Sequence, residues 1–327
     1  MELPSALGHP GWFFTALLLA VILRLQRKGS WTPRKCRVDL TGKTAIVTGA
    51  NTGIGKSVAM DLARRNARVI LACRSRERGQ KAVEEVREAT GNQKVSLGIL
   101  DTSSLSSVRA FAQRTLLEEK RLDILINNAG ASGLPHSMTA DGLENTFVTN
   151  HLGPFLLTNL LLDLMKRSAP SRIVFVSSFI HSKGVINPRH LKGEDLQSLH
   201  ISDYYSSTKL MNLVCANELA RRLQGTGVTV TSQNPGVVVT EAMRNYNIVM
   251  RFIFHLLGFF FFKSAEEGAA STIFCAVSEE AEGMTGKYVD SDCTVVLPAE
   301  NARDPDVAKK LWEACESATG LDGREGQ

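Results

Sequence analysis

Short apolar runs alternate with amphipathic stretches along most of this 327-residue chain, and no other feature narrows its fold as much. The runs lie near residues 43–48, 68–73, 94–100, 123–127, 172–177, 229–233 and 287–289, and their length and β-branched content predict strands. Apolar residues recur at helical spacing near 54–65, 76–89, 104–119, 143–166, 203–223, 265–277 and 307–317. Strands that alternate with helices pair in parallel through right-handed crossovers, so the expected architecture is α/β, a doubly wound parallel sheet with helices on both faces. No linker, low-complexity tract or internal repeat interrupts the pattern, so residues 38–318 read as a single domain, preceded by 1–37 and followed by a tail at 319–327. Ligands of such sheets bind beyond the carboxyl ends of the strands.

Several polar motifs fall at those ends. Thr48-Gly49-Ala50-Asn51-Thr52-Gly53-Ile54-Gly55 joins the first predicted strand to the first helix. Backbone N–H groups and the helix dipole converge at such a turn and favour a phosphate diester. Gly49 suits the tight turn, Gly53 a close approach to the pyrophosphate, and Gly55 helix packing against the strand; an ordinary loop uses the same residue types. After later strands come Asn127-Asn128-Ala129-Gly130, Ser177-Ser178 and Asn234-Pro235-Gly236. Strand alternation lets only one of Ser177 and Ser178 face the cleft. Tyr205 and Lys209 stand four residues apart on a predicted helix and share a face. A nearby cation brings a phenol toward the working range of a proton shuttle, although a Tyr and a Lys on a solvated helix face have the same spacing.

Composition excludes other classes. The net charge of +5 is mild and the basic residues are scattered outside the N-terminal region, which argues against nucleic acid as a partner. The six cysteines are widely separated and form no C-x-x-C pair, and His151, His181, His190 and His200 stand at no zinc-ligand spacing, so no metal site or disulfide framework is read. A reducing, cytosol-facing compartment fits this cysteine usage.

Taken in order, the glycine turn, Asn127-Asn128-Ala129-Gly130, Ser177-Ser178, Tyr205/Lys209 and Asn234-Pro235-Gly236 resemble the short-chain dehydrogenase/reductase family, whose fold is the Rossmann type. Ala72-Cys73-Arg74-Ser75, Asn150-His151-Leu152-Gly153-Pro154-Phe155 and Glu218-Leu219-Ala220-Arg221-Arg222-Leu223 look like its microsomal retinol dehydrogenase/retinal reductase branch. The resemblance implies hydride transfer between a nicotinamide and a carbonyl or alcohol carbon. It makes Tyr205 the proton donor or acceptor, Ser178 a hydrogen-bond donor to the substrate oxygen, and Lys209 the residue that lowers the Tyr205 pKa and binds the ribose hydroxyls. Asn150 would hold a water that links Lys209 to solvent; an Asn that caps a helix is the plainer reading.

For the cofactor, the resemblance implies contacts from Gly49, Asn51, Thr52, Gly53, Ile54 and Gly55, with Asn128 beside the ribose and Asp101 near the adenine. Backbone from Pro235 and Gly236 through Val238 to Thr240 would lie beside the carboxamide. The second strand ends in Cys73 without the acid that grips a ribose 2′-hydroxyl, and Arg74 follows, which points to NADP(H) unless Arg74 is a solvated surface residue. The insertion at 179–204 is longer than in compact family members and is shared by the branch, whereas Asn234 stands where the branch usually shows His, and Thr102 in place of the usual Leu. Tyr204 lacks the four-residue offset from Lys209 and reads as packing or pocket lining.

At the N-terminus, residues 11–23 are apolar and uncharged, and Arg24, Arg27, Lys28, Arg34 and Lys35 follow. The segment is shorter than the ~20 residues that comfortably span a bilayer, and a signal-peptide core is the competing reading. Basic residues after the apolar run favour an uncleaved anchor in the endoplasmic reticulum membrane with the catalytic domain facing the cytosol. A second apolar stretch at 252–262 reads as a lid that dips into lipid or as a pocket wall. The expected partners are a lipophilic carbonyl or alcohol, a retinoid in first place, and membrane lipid; nothing signals an oligomeric state. A steroid or fatty aldehyde as substrate, or a catalytically silent nucleotide-binding scaffold at a membrane, are the alternatives.

Overall fold

The computed structural model describes residues 31–196, 199–238 and 262–323. In it β1 (Thr44–Thr48), β2 (Arg68–Cys73), β3 (Val95–Ile99), β4 (Ile124–Asn127), β5 (Ser171–Val176), β6 (Val228–Gln233), β7 (Lys287–Val289) and β8 (Val295–Val296) make one sheet in the order β3-β2-β1-β4-β5-β6-β7-β8. Every pairing is parallel except that of β7 with β8. Sequence reading missed β8, because two residues are too short to show a period.

Strand alternation divides the core into two layers. Ala45, Val47, Leu71, Ile126 and Val176 face α1 (Gly53–Arg64), α2 (Arg76–Thr90) and α6 (Ala265–Val277), where Leu62, Val83 and Ile273 meet them. Ile46, Ile70, Leu125 and Ile173 point the other way, toward α3 (Leu105–Glu118), α4 (Gly153–Arg167), α5 (Ile201–Arg222) and α7 (Pro305–Thr319). Both faces are therefore covered, which is why the strands read as continuous apolar runs. The crossovers from β1 lead toward β2 and those from β4 toward β5, so a crevice opens between the carboxyl ends of β1 and β4.

The continuous helix expected over 143–166 is broken. A single turn, Asn145–Phe147, leads into a π turn, Val148–Leu152, before α4 begins. The buried carboxylate of Glu144 starts this segment by accepting from the Thr146 and Phe147 N–H groups at 2.7 and 3.1 Å, and desolvation still raises its pKa. Gly153 ends the π turn, where any Cβ would overlap the Thr102 carbonyl. The 179–204 insertion contributes two short 3₁₀ turns, Phe179–Lys183 and Pro188–Lys192, and Tyr204 packs on Phe147 with ring centroids 5.9 Å apart.

The apolar segment 11–23, Thr240, most of the 252–262 stretch and residues 324–327 lie outside the described residues. Among the described residues no helix is long and apolar enough to cross a membrane.

Candidate active site

The glycine turn is built around the end of β1. Thr48 Oγ1 donates to the Ile126 carbonyl at 3.2 Å and accepts from the N–H groups of Asn128 and Ala129 at 3.0 and 2.9 Å, tying β1 to β4. Gly49 and Gly53 adopt φ of +66° and +57°, the left-handed region that a side chain disfavours. Gly55 is required by proximity, since a Cβ there would sit 2.5 Å from Asn128 Nδ2 and 2.6 Å from the Gly49 carbonyl oxygen. Asn128 Nδ2 in turn donates to the Thr48 carbonyl at 2.8 Å. Whereas Ser75, Ser104 and Ser264 cap α2, α3 and α6 with their hydroxyls, Thr52 gives α1 no side-chain cap. The first N–H groups of α1 are thus left for a ligand in the cleft that Gly49, Asn51, Thr52, Gly53, Ile54 and Gly55 line.

At the end of β2 the Cys73 thiol is buried and its pKa is pushed up to about 11 by desolvation. Arg74, Ser75 and Arg78 line the same cleft, and Arg74 is exposed. Arg78, on the first turn of α2, was missed from sequence; the run of basic residues Arg74, Arg76 and Arg78 straight after β2 was the signal that could have found it. Asp101, after β3, also lines the cleft and accepts from the Ser103 N–H at 3.0 Å and hydroxyl at 2.6 Å.

The polar residues on β5 and α5 separate by role. Both serines that follow β5 line the cleft, against the expectation that only one could, and their hydroxyls part them: Ser177 Oγ donates to the Lys209 carbonyl at 2.8 Å, whereas Ser178 Oγ accepts from the Ile180 N–H at 3.3 Å and keeps its proton for a ligand. Tyr205 and Lys209 both line the cleft, and Lys209 Nζ lies 5.4 Å from the Tyr205 ring centroid. Lys209 is almost completely buried, its Nζ donates to the Val176 carbonyl at 2.8 Å, and burial pulls its pKa down to about 8. Asn150 sits behind the cleft wall in the π turn. Its Oδ1 accepts from the Ala131 N–H at 2.8 Å and its Nδ2 donates to the Ala131 carbonyl at 2.8 Å and to Thr208 Oγ1 at 3.2 Å. It does not cap α4, whose N-cap is Leu152. A Cβ on Gly130 would lie 3.4 Å from both Asn150 Oδ1 and Lys209 Nζ, so the two side chains flank that glycine.

Asn234 ties together its own loop and those of Phe179 and Asp290. Its Oδ1 accepts from the N–H groups of Phe179 and Gly236 at 3.1 and 3.0 Å, and its Nδ2 donates to Asp290 Oδ1 at 2.8 Å. Pro235, Gly236 and Val238 line the remaining wall, and the cleft totals about 470 Å³.

A family model described as short chain dehydrogenase matches residues 43–190. Retinol dehydrogenase 11 of Mus musculus is 46% identical to this chain over 284 residues, which cover 87% of it and 88% of the relative. The chain belongs to the short-chain dehydrogenase family. Among solved structures, an uncharacterised protein from Mycobacterium paratuberculosis aligns with a TM-score of 0.70 at 32% identity over 89% of this chain and 98% of that one. A short-chain dehydrogenase from Shigella flexneri, solved with NADP, shares the fold with a TM-score of 0.59 at 24% identity over 77% of this chain and 98% of its own. The protein is thus an oxidoreductase of the retinol dehydrogenase-like kind, in a family whose members bind NAD or NADP.

Proposed function

We propose that this oxidoreductase interconverts retinal and retinol with NADP(H), using Tyr205 as its acid/base. The observation that carries the reading is the convergence of Ser178, Tyr205 and Lys209 on the cleft that the glycine turn and Arg74 also line. The dinucleotide fits this cleft on structural grounds: α1 has no side-chain cap, Gly55 leaves no room for a Cβ, and no acid follows β2. Gly49, Asn51, Thr52, Gly53, Ile54 and Gly55 would hold its pyrophosphate, Asp101 its adenine, Asn128 a ribose, and backbone from Pro235 to Thr240 its carboxamide. Arg74, with Arg78 beside it, would pair with the 2′-phosphate. When bound, the cofactor supplies or accepts the hydride.

The remaining chemistry belongs to side chains of this protein. The Ser178 hydroxyl donates to the substrate oxygen, and the Tyr205 hydroxyl delivers the proton as negative charge develops there. The Lys209 ammonium stabilises the phenolate that remains and holds ribose hydroxyls. Asn150 keeps Lys209 in contact with a water that returns the proton. A retinoid suits the apolar side of the cleft, where Leu134, Ile180 and the exposed Phe179 and Val237 stand. The N-terminal segment 1–37 would anchor the enzyme in the endoplasmic reticulum membrane with its catalytic domain in the cytosol, where NADPH and a lipid-dissolved polyene are both available.

A steady-state assay with retinal and NADPH in detergent tests the reading. Turnover that saturates in both is expected. Reduction of steroids or fatty aldehydes with no activity on retinal would overturn the substrate, and silence on every carbonyl would favour a scaffold.

A further inference from the structure

Behind the cleft, three hydrogen bonds run in one direction from α7 to the π turn. Cys315 Sγ lies 3.1 Å from His151 Nε2, His151 Nδ1 lies 2.8 Å from Asn212 Oδ1, and Asn212 Nδ2 donates to the Asn150 carbonyl at 2.9 Å. None of the four residues is more than 4% exposed. Their proton positions follow from the far end. A carbonyl can only accept, so Asn212 gives its NH₂ to Asn150 and turns its oxygen to His151. His151 then carries its proton on Nδ1 and leaves Nε2 as an acceptor for the Cys315 thiol. Burial holds that thiol well above its usual pKa, so it has a proton to give. With a neutral ring, thiol, Nδ1–H imidazole and amide give every link of the chain a donor and an acceptor, which the Nε2–H tautomer would not.

Cys215 Sγ approaches His151 Nε2 to 3.9 Å, and the donor atoms of His151, Cys215 and Cys315 all lie within 4.8 Å of one another. A structural zinc takes four ligands and needs the Nε2 lone pair. Among the described residues only these three donors converge, and the Cys315 thiol already fills that lone pair, so the cluster is a hydrogen-bond chain.

Asn212 lies three residues beyond Lys209 on α5, and Asn150 lies in the π turn. The bond between them ties the helix that carries Tyr205 and Lys209 to the turn that faces Lys209 across Gly130. A carbonyl oxygen has two lone pairs, and when Asn212 takes one, the direction of the other is set. We propose that Asn212, oriented by His151 and Cys315, is a positioning residue that holds the π turn and the Asn150 carbonyl in register with Lys209. The inference rests on the roles of Asn150 and Lys209 given above. A misplacement of about 1 Å in such a site costs roughly 10²-fold in rate.

Asn212→Leu keeps much of the volume and removes both links. Its kcat for retinal reduction should fall roughly 10- to 100-fold while the Kd for NADPH, read by protein fluorescence, and the KM for retinal stay within about threefold. His151→Asn retains an N–H near the place of Nδ1 and should recover to within about threefold of wild type, whereas His151→Phe should reproduce the Asn212→Leu loss. Wild-type kcat in folded Asn212→Leu, or equal losses in His151→Asn and His151→Phe, overturns the proposal. The ¹⁵N resonances of the His151 ring in the wild-type protein decide it without turnover or variants: the Nδ1–H tautomer is expected, and an Nε2–H tautomer overturns it. A wild type inactive on every carbonyl counts against the proposed function, and the tautomer then decides this inference alone.

Discussion

Lys209 Nζ donates to the Val176 carbonyl at 2.8 Å, and Ser177, the next residue, donates from Oγ to the Lys209 carbonyl at 2.8 Å. These two bonds lock α5 to the end of β5 in both directions, so Tyr205 and Ser178 are held over the same part of the cleft by elements that are themselves rigid. Crossed hydrogen bonds between the end of a strand and a helix hold this part of the site in place.

Tyr205→Phe removes a hydroxyl and little volume. Its kcat should drop by on the order of 10²–10⁴-fold, the range for a lost general acid, while the Kd for NADPH stays close to wild type. Near-normal kcat at saturating cofactor would show that the proton comes from another group.

Lys209 trades stability for its position. An unfolded lysine titrates near 10.5 and the folded one at about 8, so the folded chain binds this proton less tightly than the unfolded chain does. The destabilisation is complete below pH 8, shrinks as pH rises, and is gone above 10.5; at its fullest it is roughly 3 kcal/mol. Lys209→Met leaves the Val176 carbonyl without its donor, a loss of about 1–2 kcal/mol. The variant without cofactor should therefore be inactive yet more stable at pH 7, by about 1–2 kcal/mol in urea titrations, with the gain reversing to a loss of about 1–2 kcal/mol above pH 10.5. A midpoint at pH 7 equal to or below that of the wild type would contradict this balance.

Arg74→Asp replaces a cation beside the proposed 2′-phosphate with an anion. Loss of a charge-assisted bond and gain of repulsion should shift the kcat/KM ratio toward NADH by about 10²-fold or more. A wild type that already prefers NADH would sink the cofactor assignment.

Gly55→Ala places a Cβ against the Gly49 carbonyl oxygen, which is backbone and cannot turn away. The Kd for NADPH should rise at least about tenfold and Tm should fall, because the turn must open for the methyl. Gly323→Ala, where nothing lies within 4 Å, is the control and should match wild type.

Residues 1–37 are expected to hold the protein in microsomes through carbonate extraction, with the catalytic domain digested by protease added outside. Recovery in the carbonate supernatant would rule out the anchor, and a protected domain would refute the orientation.

Fold class was legible in the sequence because each strand of a doubly covered parallel sheet is an apolar run and each crossover helix carries its own apolar face, both of them local patterns. The bounds of β2 and α6 match the reading residue for residue. The glycine turn at the end of β1 and the placing of Tyr205 and Lys209 together on α5 were legible for the same reason, since each is a spacing within one turn or one helix. Only the tertiary structure could separate Ser177 from Ser178, because which face of β5 meets α5 depends on how the sheet is covered. It also broke the expected helix at 143–166 into a π turn, under the control of the buried Glu144 and of Gly153 pressed on Thr102, contacts that no period in the segment records. The assembly of Cys315, His151, Asn212 and Asn150 joins α7, the π turn and α5 from distant parts of the chain, and side chains so separated in sequence meet only because the sheet order brings their elements together.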